Sequence, residues 1–318
     1  MSDRTRPAPA GKKPDEAQPG ALKAPAWPSY QGTSKFVGTS PSGRVSVFVD
    51  PSLGASALQN AKDLVSDADR VVAANDAIFG TTGGAVSAIV FALGGATDGT
   101  GGADHMGCDY TTGAAIEVDA AYGNSARVSA LFEAELSECS MNGSLCGEST
   151  GEALSRWCAA VISNNALADF ATAPIWAQDG MPDYVNQTDN TDQNADSTGC
   201  GMAFISWLIQ QGYALGTIAP AMVNLGDAGT LAQLYATLAS DSASNAWPNF
   251  QNAIQQLPNG ITSDDPFGGL PASAQALTSP GIAVKLAPSP PKPGALCQPK
   301  SKRLLPPGKA VYRPEKTA

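Results

Sequence analysis

Residues 126–139, ARVSALFEAELSEC, form the segment that decides the fold. At about 100° per residue, an α-helix gathers its apolar residues on one face: Val128, Leu131, Phe132, Leu136 and Cys139. Glu135 falls in the middle of that face, whereas Glu133 and Ser137 fall opposite it, where we expect solvent. A carboxylate among apolar side chains is costly unless it is paired or protonated. Glu135 is therefore either a site residue or a structural carboxylate satisfied by backbone donors or Arg127.

Outward from this helix, the pattern predicts an α+β fold. Period-two alternation at Arg44–Asp50 and apolar runs at Ala85–Leu93 and Ala114–Asp119 predict strands, and Gly94–Gly113 is predicted as a loop. Helical periodicity predicts these helices: 55–75, 126–141, 152–162, 200–211 and 230–239. A mixed sheet followed by a mostly helical half favours a cleft between the two.

The charge divides the chain into three parts. Residues 28–284 carry six basic and 25 acidic side chains, whereas residues 1–27 carry five and three, and residues 285–318 carry eight and one. We therefore expect a basic, Pro-rich, disordered tail at 1–40, a folded domain at 41–258 and a second such tail at 259–318. The acidic middle disfavours nucleic acid and anionic membranes, while the tails could contact an acidic partner.

Composition excludes several other classes of protein. No run of about 18 apolar residues occurs, so we expect no membrane span. The first 27 residues contain no apolar core of a signal peptide, although the Asn-, Thr- and Ser-rich middle is typical of secreted or cell-envelope proteins. A single histidine excludes zinc sites with two imidazoles, and no CxxC spacing occurs. Disulfides, for example Cys139 with Cys146 or Cys158, and buried thiols both remain open.

The order of strand, helix, strand, Gly-rich loop, short strand and helix is similar to that of zincin metallopeptidases. In that family the short strand edges the cleft and the next helix carries an HExxH motif. The matching pentapeptide here is Ala134-Glu-Leu-Ser-Glu138. The resemblance implies that Glu135 occupies the position of the catalytic base, with Ala134 and Glu138 at the positions of two metal ligands.

A second segment strengthens this resemblance. Residues 176–185, WAQDGMPDYV, resemble the gluzincin pattern W-x-x-E-G-x-A-x-Y and a related run in plant and bacterial basic secretory proteins. The arrangement is also similar to that of uncharacterised bacterial peptidase-like proteins. It implies that Asp179 supplies a metal ligand and that Trp176 packs beneath the cleft. The strand containing Ile116 and Glu117 would then pair with an extended peptide.

The departures from the zincin pattern change the expected chemistry. Ala134 cannot bind a metal, and Glu138 and Asp179 are oxygen donors, which suit Ca²⁺, Mg²⁺ or Mn²⁺ better than Zn²⁺. His105, in the loop Gly102–Asp109, is either a surface residue or a ligand or acid–base group beside Glu135.

Two further patterns have structural interpretations. Residues 192–196, DQNAD, match the first half of a calcium loop, but an Asn/Asp-rich turn that caps the next helix is the better explanation. Glu152 and Arg156 have the i,i+4 spacing of an exposed ion pair.

Three functional hypotheses follow from these residues. The first is a peptidase-related, zincin-like hydrolase, or its non-catalytic descendant, with a carboxylate-rich cleft around Glu135. The second is a module that binds a peptide or a glycan without turnover. The third is a metal-free hydrolase that pairs Glu135 with Glu138 or Asp179. It ranks last, because the sequence offers no aromatic pattern that demands a sugar substrate.

Overall fold

The computed structural model describes residues 23–270, which form a mixed five-stranded sheet followed mostly by helices. The predicted α+β class is confirmed. The strands are β1 (Lys35–Thr39), β2 (Val45–Val49), β3 (Val86–Phe91), β4 (Ala103–His105) and β5 (Ala115–Asp119). The helices are α1 (Gly54–Phe79), α2 (Ser125–Ser140), α3 (Ser149–Ile162), α4 (Ala173–Gln178), α5 (Ala195–Gln210), α6 (Leu215–Leu225), α7 (Leu231–Ala239) and α8 (Ala246–Gln255). Within the described residues, no helix has both the length and the apolar character needed to cross a membrane.

The sheet has the strand order β1-β2-β3-β5-β4. Strands β2, β3 and β5 are parallel, and the two outer strands, β1 and β4, run antiparallel to their neighbours. Strand β5 is buried along its whole length, as expected of a central parallel strand. The prediction that this strand edges a cleft and accepts a peptide is therefore wrong, because β3 and β4 already occupy both of its edges.

The strand at the edge of the sheet next to β5 is β4. It lies within Gly94–Gly113, the segment that was predicted as a loop. A strand of three residues is too short to show alternation, so only its pairing with β5 reveals it. Asp119, at the end of β5, holds the preceding loop by accepting hydrogen bonds from the amides of Leu93 (3.1 Å) and Gly101 (2.9 Å). A Cβ atom at Gly101 would lie 1.9 Å from the Leu93 carbonyl oxygen, so this approach requires glycine.

One face of the sheet is covered by residues 24–30, which precede β1. Trp27 and Tyr30 pack there against Phe48 and Phe91 of the sheet. Glu117 points to the same face and accepts three hydrogen bonds, from the amide and hydroxyl of Ser29 and from the amide of Tyr30. Glu117 is thus a fully buried anchor for this segment, not a cleft residue.

The folded domain extends beyond both of its predicted boundaries. The chain before residue 41 contributes strand β1 and the segment that covers the sheet. After residue 258, Asp264 accepts hydrogen bonds from the amides of Thr172 and Ala173, both at 2.7 Å. Composition favoured tails in these places, but specific contacts hold residues 23–40 and 259–270 in the domain. The remainder of the predicted tails, residues 1–22 and 271–318, lies outside the described residues.

Helix α2 is enclosed on every side. It packs on β4 and β5 and lies against α1 and α3. Glu133 and Ser137 are fully buried, so the prediction that their face meets solvent is wrong. Its own periodicity could not reveal this burial, because the covering atoms come from α1 and α3.

Helix α3 is also buried along its whole length. The Glu152–Arg156 pair, predicted to be exposed, is a buried ion pair at 2.7 Å. Arg156 also donates a hydrogen bond to the Phe170 carbonyl oxygen at 2.7 Å. Partners on both sides of the guanidinium satisfy a charge that burial would otherwise make costly.

A disulfide joins Cys108, just after β4, to Cys146, in the loop after α2. The pairings suggested from the sequence are wrong: Cys139 and Cys158, together with Cys200, are buried free thiols. The disulfide therefore ties the end of the edge strand to the end of the enclosed helix.

Replacing both Cys108 and Cys146 by serine should lower the free energy of unfolding by about 2–4 kcal/mol, because the bond closes a long loop in the unfolded chain. Urea unfolding of the double variant measures this loss. Reduction of the wild type should reproduce it, and Cys200→Ser, which retains the disulfide, should respond to reductant as the wild type does, whereas the double variant should not respond. An unchanged midpoint in the double variant would contradict the assignment.

Candidate functional site

Three of the predicted site residues meet beneath the edge strand. The Nε2 atom of His105 lies 3.0 Å from an Oε2 atom of Glu138 and 3.7 Å from Oε2 of Glu135. The three residues are only 1%, 3% and 2% exposed, respectively. The structure thus brings His105, Glu135 and Glu138 together, and it places Glu135 in the buried position that the helical pattern predicts. We call these three residues the His–Glu cluster.

The elements that position the cluster follow from the local sequence. Glu135 and Glu138 are three residues apart on α2, so they share one helical face. That face packs on β4 and β5, and the pairing of His105 with Ile116 fixes the imidazole above it. His105 was therefore placed wrongly in a loop by the sequence analysis, because it is the last residue of a strand.

The His–Glu cluster gives two buried carboxyl groups a polar neighbour, the imidazole of His105. An imidazole beside a carboxylate offsets part of the desolvation that burial imposes on both groups. Both carboxylates approach the same ring nitrogen, Nε2, while Nδ1 is buried and has no hydrogen-bond partner. Loss of the imidazole would remove the group that both acidic side chains approach.

The neighbouring thiol is kept in its protonated form. Burial raises the pKa of Cys139, and the nearby Glu135 and Glu138 raise it further. The thiol donates a hydrogen bond to the Gly113 carbonyl oxygen at 3.3 Å. A cysteine in these surroundings does not supply the thiolate that nucleophilic catalysis or metal binding requires.

Asp179 is not brought into the cluster. It ends α4, it is exposed, and it contacts Asp196 at the start of α5, where burial and the Asp179 carboxylate raise the pKa of Asp196. Helix α4 packs on α5, α5 on α3, and α3 on α2, so two helices lie in the packing path from Asp179 to Glu135.

The predicted cleft residues belong to the core. Trp176 is fully buried, its ring stacks on Phe250 at 5.9 Å, and its indole nitrogen donates to the Pro182 carbonyl oxygen. Ile116 is fully buried on the helix-covered face of the sheet. The prediction that these residues line a cleft is therefore wrong, because an aromatic ring and an apolar strand residue suit a core as well as a cleft.

The predicted metal site is not assembled. Between residues 23 and 270, no group of three or more His, Cys, Asp or Glu side chains is arranged to hold a metal ion. The partial calcium motif acts instead as a helix cap, because Asn194 accepts a hydrogen bond from the Asp196 amide at 3.0 Å.

A second buried carboxyl group lies on the far side of α2. Neither oxygen of Glu133 has a hydrogen-bond partner, and the side chain is fully buried. Burial raises the pKa of Glu133 well above its usual range, Arg70 of α1 opposes this rise, and Asp76 of α1 adds to it. The Cys158 thiol faces Glu133 from α3. Burial therefore favours the protonated form of Glu133, and no signal in the sequence of α2 itself indicates this.

Burial also acts on Asp119, the anchor of the loop before β4. It raises the pKa of Asp119 to about 7, although the backbone amides of Gly101 and Leu93 oppose the rise by favouring the charged form.

Comparisons with models of protein families, with curated protein sequences and with solved structures return no match to this chain. The functional inference therefore depends on the geometry of the residues themselves.

Replacing His105 by alanine should lower the free energy of unfolding by about 3–5 kcal/mol, because it leaves buried carboxylates without their imidazole. The exposed Asp179→Asn variant should change it by no more than about 0.5 kcal/mol. Urea denaturation of both variants compares the two positions. Equal, small effects would show that the cluster contributes nothing to stability.

Replacing Glu133 by methionine should stabilise the protein by about 1–3 kcal/mol at neutral pH. Because the folded-state pKa of Glu133 is raised, the wild type holds this proton more tightly when folded, and its stability falls as the pH rises above the ordinary value of 4.5. The advantage of the variant should therefore grow between pH 4.5 and neutrality. Thermal denaturation across this range measures it, and a pH-independent difference would contradict the assignment.

Proposed function

We propose that the chain is a non-catalytic descendant of a zincin-like hydrolase that now acts as a binding module. The observation that carries this proposal is the closure of the His–Glu cluster. A general base must reach the proton that it abstracts, directly or through one water molecule. Glu135 is 2% exposed and lies against His105, so the position of the catalytic base is enclosed by the protein itself.

The arrangement of elements supports kinship with the zincin fold. A helix follows β2, and β3, a Gly-rich segment, β4 and β5 lead to α2, which carries Glu135. An edge strand lies directly above this helix, as in a zincin cleft, although that strand is β4 and not the predicted one.

The residues at the former metal-ligand positions support loss of catalysis. Ala134 is fully buried and offers no donor atom, and Glu138 is bound by His105 at 3.0 Å. Asp179 contacts Asp196. These three positions do not fit a bound divalent ion. Ala134 ends in a methyl group, and the carboxylates of Glu138 and Asp179 contact different partners.

The same closure argues against a metal-free hydrolase. Two carboxyl groups that cleave a glycosidic bond must leave room for a sugar between them. Glu135 and Glu138 instead converge on one imidazole nitrogen inside the core.

Two features bear on the compartment and on the ligand of a binding module of this kind. The Cys108–Cys146 disulfide forms and persists in oxidising compartments. The net charge of −19 over residues 28–284 disfavours nucleic acid as the ligand, and we propose a peptide or a glycan instead.

Purified protein should not hydrolyse peptides, whether assayed with EDTA, Zn²⁺, Ca²⁺ or Mn²⁺, and none of these ions should raise its melting temperature. Labelled casein and a library of quenched fluorescent peptides provide the activity measurement. The matched controls are Glu135→Gln and Glu133→Gln, which change two buried glutamates on opposite sides of α2. Hydrolysis by the wild type that only Glu135→Gln abolishes would overturn the proposal.

A further inference from the structure

The helical half contains a groove lined mainly by aromatic and carboxamide side chains. It lies between α5, α7 and α8, is also lined by Leu257 and Phe267, and has a volume of about 600 Å³. That volume falls within the range of sites for small ligands. We call it the amide groove.

Aromatic side chains form the apolar part of the amide groove. Trp207 of α5 stacks on Tyr235 of α7, with ring centroids 5.5 Å apart and planes inclined by 15°. The rings of Tyr213 and Phe267 are only partly buried and also line the groove. Tyr213 and Phe267 therefore present apolar ring surface in the groove, whereas Trp207 and Tyr235 are only 4% and 9% exposed and contribute little accessible area.

Carboxamides supply the polar part. Gln210, Gln211, Asn249, Asn252 and Gln256 line the groove, and all five are exposed. Each carries an acceptor oxygen and a donor nitrogen, so together they can bind groups that both donate and accept hydrogen bonds. None of the residues that line the groove carries a charge.

The groove is held in shape before any ligand arrives. The Tyr235 hydroxyl donates to Asp241 at 2.8 Å and accepts from the Asn249 amide at 3.0 Å, which fixes the ring and one carboxamide. Trp207 is 4% exposed and also packs on Phe250 at 5.5 Å. A site whose side chains are already ordered loses less entropy on binding.

We propose that the amide groove binds a neutral oligosaccharide, an inference that rests on the proposed binding function and supplies its ligand. A pyranose ring presents apolar C–H faces, which suit aromatic rings, and hydroxyl groups, which suit carboxamides. An anionic glycan or a nucleotide would meet no cation in the groove and a net charge of −19 over residues 28–284.

An oligosaccharide fits this groove better than a peptide. Its walls are helices and one connecting segment, so no strand edge is available for an extended peptide to pair with. A proline-rich peptide would use the aromatic rings but not the five carboxamides. Peptide binding is nevertheless a defined outcome of the test, since a proline-rich stretch follows residue 270 in the sequence.

Titration calorimetry of the full chain with cellohexaose, chitohexaose, xylohexaose and maltohexaose tests the proposal. At least one of these should bind saturably, and oligogalacturonate should not. The double variant Asn252→Ala/Gln256→Ala should weaken binding by about tenfold or more, since it removes two hydrogen-bonding side chains. Gln251→Ala/Gln255→Ala is the matched control, because these exposed glutamines share α8 but lie outside the groove.

Three results would overturn the inference: no binding of any neutral oligosaccharide, equal losses in both double variants, or binding only of a peptide with the sequence of residues 286–297. Failure of the inference is distinguishable from failure of the proposed function. Peptide hydrolysis that depends on Glu135 would refute the non-catalytic proposal while leaving oligosaccharide binding intact. Oligosaccharide binding should also survive in Glu135→Gln.

Discussion

The enclosure of α2 is the constraint on which the rest of the structure depends. This helix carries three glutamates, and the sheet, α1 and α3 cover all of them. The protein accommodates them in two ways. Burial between α1 and α3 raises the pKa of Glu133 and so favours its protonated form, whereas Glu135 and Glu138 face the imidazole of His105. A helix with three glutamates can stay buried only while each carboxyl group is protonated or lies beside a polar partner.

The position of β4, at the edge of the sheet, depends in part on the same His–Glu cluster. Strand β4 has only three residues, which is too few to be stable by itself. It is held by pairing with β5, by the Asp119 anchor on the preceding loop, by His105 and by the disulfide at Cys108. These contacts hold β4 in place above α2. A substrate could reach Glu135 only if several of them broke.

Sequence patterns predicted the central elements and the burial of Glu135, because β2 and α2 have strong periodicity and β3 and β5 are apolar runs. They did not predict β4, which is too short, or the burial of Glu133, which depends on atoms of α1 and α3. Asp179 matched a motif, yet its surroundings are set by α5. The amide groove was invisible for a similar reason: Trp207, Tyr235 and Phe267 meet only after the helices have packed.

The central claim is that the protein itself closes the His–Glu cluster. His105 is the only histidine in the chain, so modification by diethyl pyrocarbonate, followed by mass spectrometry, reports on this one imidazole. We expect His105 to remain unmodified in the native protein and to react at the rate of a free imidazole once the chain is unfolded in urea. Equal rates of modification in the native and the unfolded protein would show that the cluster is open to solvent, and the account would be contradicted.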